Sequence, residues 1–233
     1  MGLENDLQSE VKEIFATSFS SRKGTVVPET EDVQLGNDAV MFNEAVVLYA
    51  DLAESTKLVN DYKDWFAADV YKSYLHCASK IIRDQAGTIT AFEGDRVMAV
   101  FVDDNKRTNA AKCALKINHA VQEIINPAIK RKFSTTDFAV RHTVGIDVSK
   151  LFVARTGIRG SNDLVWVGRA ANYAAKLCAL RENGFASYIT GDVFDIMNED
   201  AKIGGNPKQD IWEKRRWTAV GIDVYRSSWR WAP

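Results

Sequence analysis

The stretch Val46–Leu58, VVLYADLAESTKL, decides how this chain is read. Val46, Val47 and Leu48 form an unbroken apolar run, the pattern of a strand covered on both faces of a sheet. Asp51 stands where the run ends. Glu54, Ser55 and Thr56 follow at once, the composition of a helix start. An aspartate that only caps a helix fits these residues. So does a carboxylate placed for chemistry at the end of a buried strand, and the two readings part only when the rest of the chain is laid out.

Outward from that strand (Ala45–Ala50) the pattern is regular. A long helix is predicted over about Ser55–Gln85. Gly87 turns the chain into TITAF, and Gly94-Asp95 makes a tight turn into RVMAVFV. A second helix over about Arg107–Ile125 should stop before Pro127, because proline restricts the residue ahead of it. The strand FAVRHTVGIDV comes next, then LFVARTG and LVWVG, and after Gly168 a short helix, RAANYAAKLCAL. The order β-α-β-β-α-β matches a ferredoxin-like split βαβ, an α+β fold, with two hairpin partners extending the sheet. Upstream, Leu3, Leu7, Val11, Ile14 and Phe15 recur at helical spacing and predict a helix over 3–18. Its apolar stripe should dock on the main body or on a second subunit. SFSSRKG and Pro28 read as a connector. The expected division is therefore 1–43, an N-terminal helix and linker, and 44–233, one domain.

Bulk properties narrow the class. The chain has 233 residues, 46% hydrophobic and 26% charged, with a net charge of −1. No basic field points to nucleic acid as partner, and no apolar run reaches the ~18 residues of a membrane span. Cys77, Cys113 and Cys178 are odd in number and lack CxxC spacing, so neither a disulfide framework nor a zinc site is favoured. The expected setting is a reducing cytoplasm.

Asp51 and Asp95 are 44 positions apart. In a split βαβ sheet the first and third strands lie side by side, so the end of one approaches the turn that opens the other. Two carboxylates can meet there. Hard oxygen ligands of this kind suit magnesium or manganese rather than zinc. A pair of such ions about 4 Å apart promotes in-line attack on phosphorus. A helix beginning near Ser55 leaves backbone N–H donors over Leu52, Ala53, Glu54, Ser55 and Thr56 for phosphate. A capped helix and a surface-turn aspartate still fit the same spacing.

VVLYADLAEST, FEGDRVMAVF and WVGRAANYAAKL resemble, in order and spacing, the three signature segments of class III nucleotidyl cyclases, over roughly residues 44–228. These enzymes convert a nucleoside triphosphate to a 3′,5′-cyclic nucleotide and pyrophosphate. The resemblance implies that Asp51 and Asp95, with the Leu52 carbonyl, hold two divalent cations, Mg²⁺ or Mn²⁺. It implies that Asn172 orients the ribose. Four residues on, the family usually has an Arg that stabilises the transition state; here it is Lys176, on the same helical face. Lys keeps the charge but lacks the planar fork, and Arg169, one turn before Asn172, is the candidate to compensate. The resemblance further implies a homodimer with composite sites, the aspartates and the Asn–Lys pair coming from opposite subunits.

At the two positions that read adenine or guanine in the family stand Ala91 and Val165, which can neither donate nor accept a hydrogen bond. Tyr49 replaces the usual Phe, and period-2 geometry puts it on the side of Asp51. The phenol is either a base contact or a core aromatic. This combination is similar to the pyrimidine cyclases of the Pycsar anti-phage system, closest to the uridylate cyclases. That implies UTP as substrate, cyclic UMP as product and a separate cyclic-nucleotide-gated effector. An adenylate or cytidylate cyclase, or a non-catalytic nucleotide-binding dimerisation module, are the alternatives. Lys214, Arg215 and Arg216 are candidates for the leaving phosphates, although a solvated basic turn accounts for them too. Trp212, Trp217, Trp229 and Trp231 are expected in packing or at an interface.

Overall fold

The computed structural model describes residues 2–233. Along the chain it has α1 (Leu3–Ala16), β1 (Ser20–Lys23), β2 (Asp38–Leu52), α2 (Ser55–Asp61), α3 (Asp64–Asp84), β3 (Thr88–Glu93), β4 (Arg96–Phe101) and α4 (Lys106–His119). Then come α5 (Asn126–Lys132), β5 (His142–Ile158), β6 (Ser161–Val167), α6 (Arg169–Cys178), β7 (Ser187–Thr190) and α7 (Gly191–Phe194). β8 (Ile203–Gly204), β9 (Gln209–Asp210), β10 (Glu213–Trp217) and β11 (Ile222–Ser227) end it. The described residues build a nine-stranded sheet in the order β10-β11-β7-β5-β2-β4-β3, with β1 beside β2 and β6 beside β5. Its centre, β5-β2-β4-β3, is the ferredoxin-like order expected from the sequence, and the fold is α+β.

β2 explains the apolar run. Val46, Leu48, Ala50 and Leu52 face a core shared with α3, α4 and α5, while Ala45 and Val47 face a second core shared with α6. A strand buried on both sides needs apolar residues at every position, which is why alternation is missing. β2 starts at Asp38 rather than Ala45, crossing residue 44, so the sheet draws on the segment expected as linker. The expected connector itself contains β1, paired in parallel with β2 from Ser20 opposite Asp38. FAVR (138–141) stays outside the sheet, and from His142 onward FAVRHTVGIDV and LFVARTG are one unbroken strand, β5.

Two expected helices are divided differently. The long helix breaks at Tyr62, which is extended at φ −124°. Its ring lies 5.2 Å from that of Phe66 and 5.1 Å from that of Phe138, so tertiary aromatic packing overrides the continuous periodicity. The helix expected to stop before Pro127 does not stop. After α4 one π-helical segment, Ala120–Ile125, leads directly into α5, with Pro127 in its first turn. A proline is tolerated in a helix's first turn, and a π segment ahead of it accommodates the missing N–H and the ring.

α1 forms as expected, but the body does not cover its stripe: Leu3, Leu7, Val11, Ile14 and Phe15 are each at least half exposed. Trp212, Trp229 and Trp231 pack on the main core, and Trp217 packs its ring 5.5 Å from Tyr173. No helix among the described residues is long and apolar enough to cross a membrane.

One glycine sets the position of α6. A Cβ on Gly145 would lie 2.2 Å from the Ala174 carbonyl oxygen and 2.5 Å from the Cys178 nitrogen. The helix therefore rests directly on the backbone of β5, and Gly145 pairs with Tyr49 of β2. Gly145→Ala is expected to cost about 3 kcal/mol of unfolding free energy, read by denaturant titration, because both contacts are backbone and cannot rotate away.

Candidate active site

β2 and β4 are antiparallel neighbours with Asp51 opposite Arg96. Asp95 is the second residue of the two-residue turn between β3 and β4, made possible by Gly94 at φ +64°. The end of one strand and the turn opening its neighbour thus converge, as the topology requires. Burial raises the Asp51 carboxyl above its ordinary value first, and the nearby Asp95 carboxylate raises it further; Arg181 and Arg96 partly oppose this. Oδ2 of Asp95 is buried without a hydrogen-bond partner. Two partly desolvated carboxylates that repel each other, one paired with Arg181 and the other with an orphaned oxygen, form an anionic pocket. Hard oxygen donors in this state suit a magnesium- or manganese-sized ion. Among the described residues no group of three or more His, Cys, Asp or Glu side chains could hold a metal ion. Any cation here would need backbone carbonyls and ligand oxygens to complete its shell.

The segment after Asp51 is partly committed. The Ala53 N–H donates to the Arg141 carbonyl at 2.8 Å, so it is not a free donor as expected. Glu54 sits before α2 in a left-handed conformation, φ 62°, and its carboxylate pairs with Arg141 at 2.9 Å. α2 begins at Ser55 as predicted, with Thr56 exposed in its first turn. Leu52 is buried in the main core, and its carbonyl oxygen accepts from Arg181.

Tyr49 is half-buried beside Ala91 and Met98 on the face that carries Asp51, and burial raises its phenol above the ordinary value. The Arg96 guanidinium lies 5.1 Å from the Tyr49 ring centroid and also pairs with Glu93. Val165 is elsewhere. It pairs with Ala154, which pairs with Ala39 at the far end of β2. At ~3.3 Å per residue that is about 30 Å from Tyr49 in the same chain.

α6 buries Ala170, Ala174, Leu177 and Cys178. Asn172 and Lys176 are exposed on its opposite face and point away from the chain's own sheet. The structure therefore brings together Tyr49, Asp51, Ala91 and Asp95, and leaves Asn172, Lys176 and Val165 outside that cluster. Arg169 does not accompany Lys176. Its Nε donates to the fully buried Asp147 at 3.1 Å, and its Nη2 to the Val148 carbonyl at 2.7 Å and to Asp192 at 2.5 Å. Asp147 also accepts from the Thr190 hydroxyl at 2.6 Å. A buried carboxylate needs such partners, so Arg169 is engaged in anchoring the start of α6 to β5.

Lys214, Arg215 and Arg216 lie on the edge strand β10, not in a turn. They pair with Asp223, Glu213 and Asp223 at 2.7, 2.5 and 2.9 Å. Four strand spacings separate β10 from β2, roughly 19 Å.

Two residues at the cluster escaped sequence reasoning, Arg96 and Arg181. Arg96 follows Asp95 directly, and its position one residue into β4 could have flagged it. Arg181 lies 130 positions from Asp51 and no motif marks it, yet its Nη2 donates to Asp51 Oδ2 at 2.7 Å.

No family model matches the chain. It is 50% identical over 232 residues to a uridylate cyclase of Burkholderia cepacia, covering 99% of each. To a uridylate cyclase of Xanthomonas perforans it is 45% identical over 233 residues, again 99% of each. The crystal structure of the adenylyl cyclase CyaB from P. aeruginosa superposes with a TM-score of 0.64 at 19% identity, covering 81% of this chain and 95% of that one. Identity at this level along the whole of both sequences makes the chain a member of the uridylate cyclase family, and its fold is the one seen in the solved adenylyl cyclase.

Proposed function

We propose that this enzyme converts UTP to 3′,5′-cyclic UMP and pyrophosphate in a composite site at the interface of a homodimer. The observation that carries the reading is the unpartnered, buried Oδ2 of Asp95 beside the desolvated carboxylate of Asp51. The two side chains, with the Leu52 carbonyl, would hold two divalent cations, Mg²⁺ or Mn²⁺. Such cations, when bound, lower the pKa of the ribose 3′-hydroxyl and neutralise charge on the departing pyrophosphate. The 3′-oxygen attacks the α-phosphorus, its proton leaves, and the bond to the bridging oxygen of the β-phosphate breaks.

The chain's own residues do the rest. Backbone donors over Glu54, Ser55 and Thr56 face the phosphates. Asn172 of the second protomer orients the ribose, and Lys176 beside it places a positive charge on the phosphoryl oxygens as the pentavalent arrangement forms. The outward face of α6 supports this assignment, since that pair cannot turn onto its own sheet. The half-buried phenol of Tyr49 offers the base a donor and an acceptor, where Ala91 and Val165 offer neither. A site without purine readers is permissive to the smaller uracil ring.

By resemblance to the Pycsar enzymes, the product is a second messenger in bacterial anti-phage defence, made in the cytoplasm and read by a separate cyclic-nucleotide-gated effector. Incubating purified protein with ATP, GTP, CTP and UTP separately, each with Mn²⁺, tests the chemistry. Cyclic UMP is expected to dominate. Cyclic AMP, GMP or CMP as the main product would remove the uridylate assignment, and no cyclic product from any of the four would remove turnover.

A further inference from the structure

Arg181 occupies oxygens that the proposed function gives to a cation. Its Nη2 donates to Asp51 Oδ2 at 2.7 Å and to the Leu52 carbonyl at 3.1 Å. No other side chain touches both oxygens among the described residues. Arg181 belongs to the loop ALRENGF (179–185) after α6 and holds a left-handed backbone at φ 38°, a conformation rare for a non-glycine residue. The fold thus accepts local strain to put a guanidinium there.

Beside it opens a cavity of about 400 Å³ bordered by Arg141, Arg181, Arg230, Asn118 and Asn183, with Ala53 on its rim. Three guanidinium groups face one carboxylate, Glu182, which is itself paired with Arg226. Arg141 and Arg230 reach outward to Glu54 and Glu123, each at 2.9 Å. The cavity adjoins the segment proposed to face the phosphates, so its charge suits a polyphosphate.

We infer that Arg181 stands in for the divalent cation in the metal-free enzyme, and that its displacement into this cavity couples metal entry to polyphosphate capture. The inference rests on Asp51 being a metal ligand. A cation and a guanidinium cannot share Asp51 Oδ2 and the Leu52 carbonyl. Metal arriving alone must push Arg181 out of its pair with Asp51 toward Arg141 and Arg230, whose carboxylate partners Glu54 and Glu123 are already taken, so it exchanges a paired position for an unpaired one. Metal arriving with a triphosphate releases Arg181 onto an anion. Metal and nucleotide therefore bind cooperatively through this side chain, and each tightens the other by the same factor. Arg181 is a positioning residue with two alternative partners.

Mn²⁺ binding, followed by the electron paramagnetic resonance of free Mn²⁺, tests this without turnover. Wild type, Arg181→Gln and Arg181→Lys are each titrated alone and with 3′-deoxy-UTP, which lacks the attacking hydroxyl, and protein-bound Mn²⁺ is taken as the loss of signal beyond that in a protein-free nucleotide blank. Without nucleotide, Arg181→Gln should bind Mn²⁺ about fivefold or more tightly than wild type, and Arg181→Lys should stay near wild type. With 3′-deoxy-UTP the advantage of Arg181→Gln should vanish or reverse. Equal Mn²⁺ affinity of wild type and Arg181→Gln in the absence of nucleotide overturns the inference. An Asp95→Ala control separates the two levels. If Mn²⁺ binding with 3′-deoxy-UTP survives Asp95→Ala, or is absent from wild type, the two-cation reading falls and the inference with it. If Asp95→Ala abolishes it and the Arg181 variants match wild type, only the inference falls.

Discussion

Asp95→Ala is expected to lower cyclic UMP formation by at least about 10³-fold while leaving the protein as stable as wild type or more so. The loss follows from removing one of two proposed cation ligands, since several kcal/mol of transition-state stabilisation correspond to a factor of that size. Stability should not suffer, because Asp95 forms no hydrogen bond through its buried Oδ2 and only repels Asp51. A residue that stabilised the fold would behave in the opposite way. The pH dependence gives the same pair a second signature. The Asp51 carboxyl is raised in the folded protein, so folding takes up protons there. Its contribution to stability is complete below the ordinary aspartate value of 3.8 and is lost as pH rises through the folded value. Metal-free wild type should therefore lose thermal stability as pH climbs from 3.8 into the mildly acidic range, relative to Asp95→Ala, whose Asp51 lacks the nearby negative charge. Full activity in Asp95→Ala would sink the assignment. A large drop in melting temperature would mark Asp95 as structural instead.

Mixing two dead variants should restore activity. Asp51→Ala lacks the carboxylate half of the site and Asn172→Ala the half on α6. In the proposed composite homodimer, neither variant alone has a complete site. After equal mixing and subunit exchange, half the dimers are heterodimers, each with one intact site of two, so activity should rise from background to about a quarter of wild type. The geometry demands this outcome if the enzyme is composite, because Asn172 and Lys176 lie on the outward face of α6, opposite Ala174 and Cys178. Measuring cyclic UMP before and after mixing, with exchange followed by native mass spectrometry, decides it. Exchange without recovered activity would mean that each chain carries a complete site of its own.

Much of the proposed site is legible along the chain because its residues lie where periodicity changes. The apolar run at Val46–Leu48 ends at a carboxylate, and Gly94-Asp95 interrupts two strands, so local pattern and turn chemistry locate both aspartates. Residues Asn172 and Lys176 were placed on one face by i, i+4 spacing, and α6 has that face exposed. The same logic failed where local pattern competes with packing. Continuous helical periodicity over 55–85 hid the break at Tyr62, because the aromatic partner Phe138 is far away in sequence. Pro127 signalled a stop, yet a π-helical segment absorbed it. The resemblance makes Arg169 the candidate to compensate for Lys176, but buried Asp147 holds it.

Sequence alone determined the β-α-β-β-α-β order of the central elements, the doubly buried central strand, the two acidic positions and the polar face of α6. These depend on side-chain periodicity and turn residues, which act over a few positions. Only the tertiary structure decided that Asp95 is left unpartnered, that Arg169 is anchored to Asp147 and that Arg181 crosses 130 positions to meet Asp51. Whether a charged group is free, paired or desolvated depends on what the folded chain brings within a few ångströms of it, and no local pattern encodes that distance.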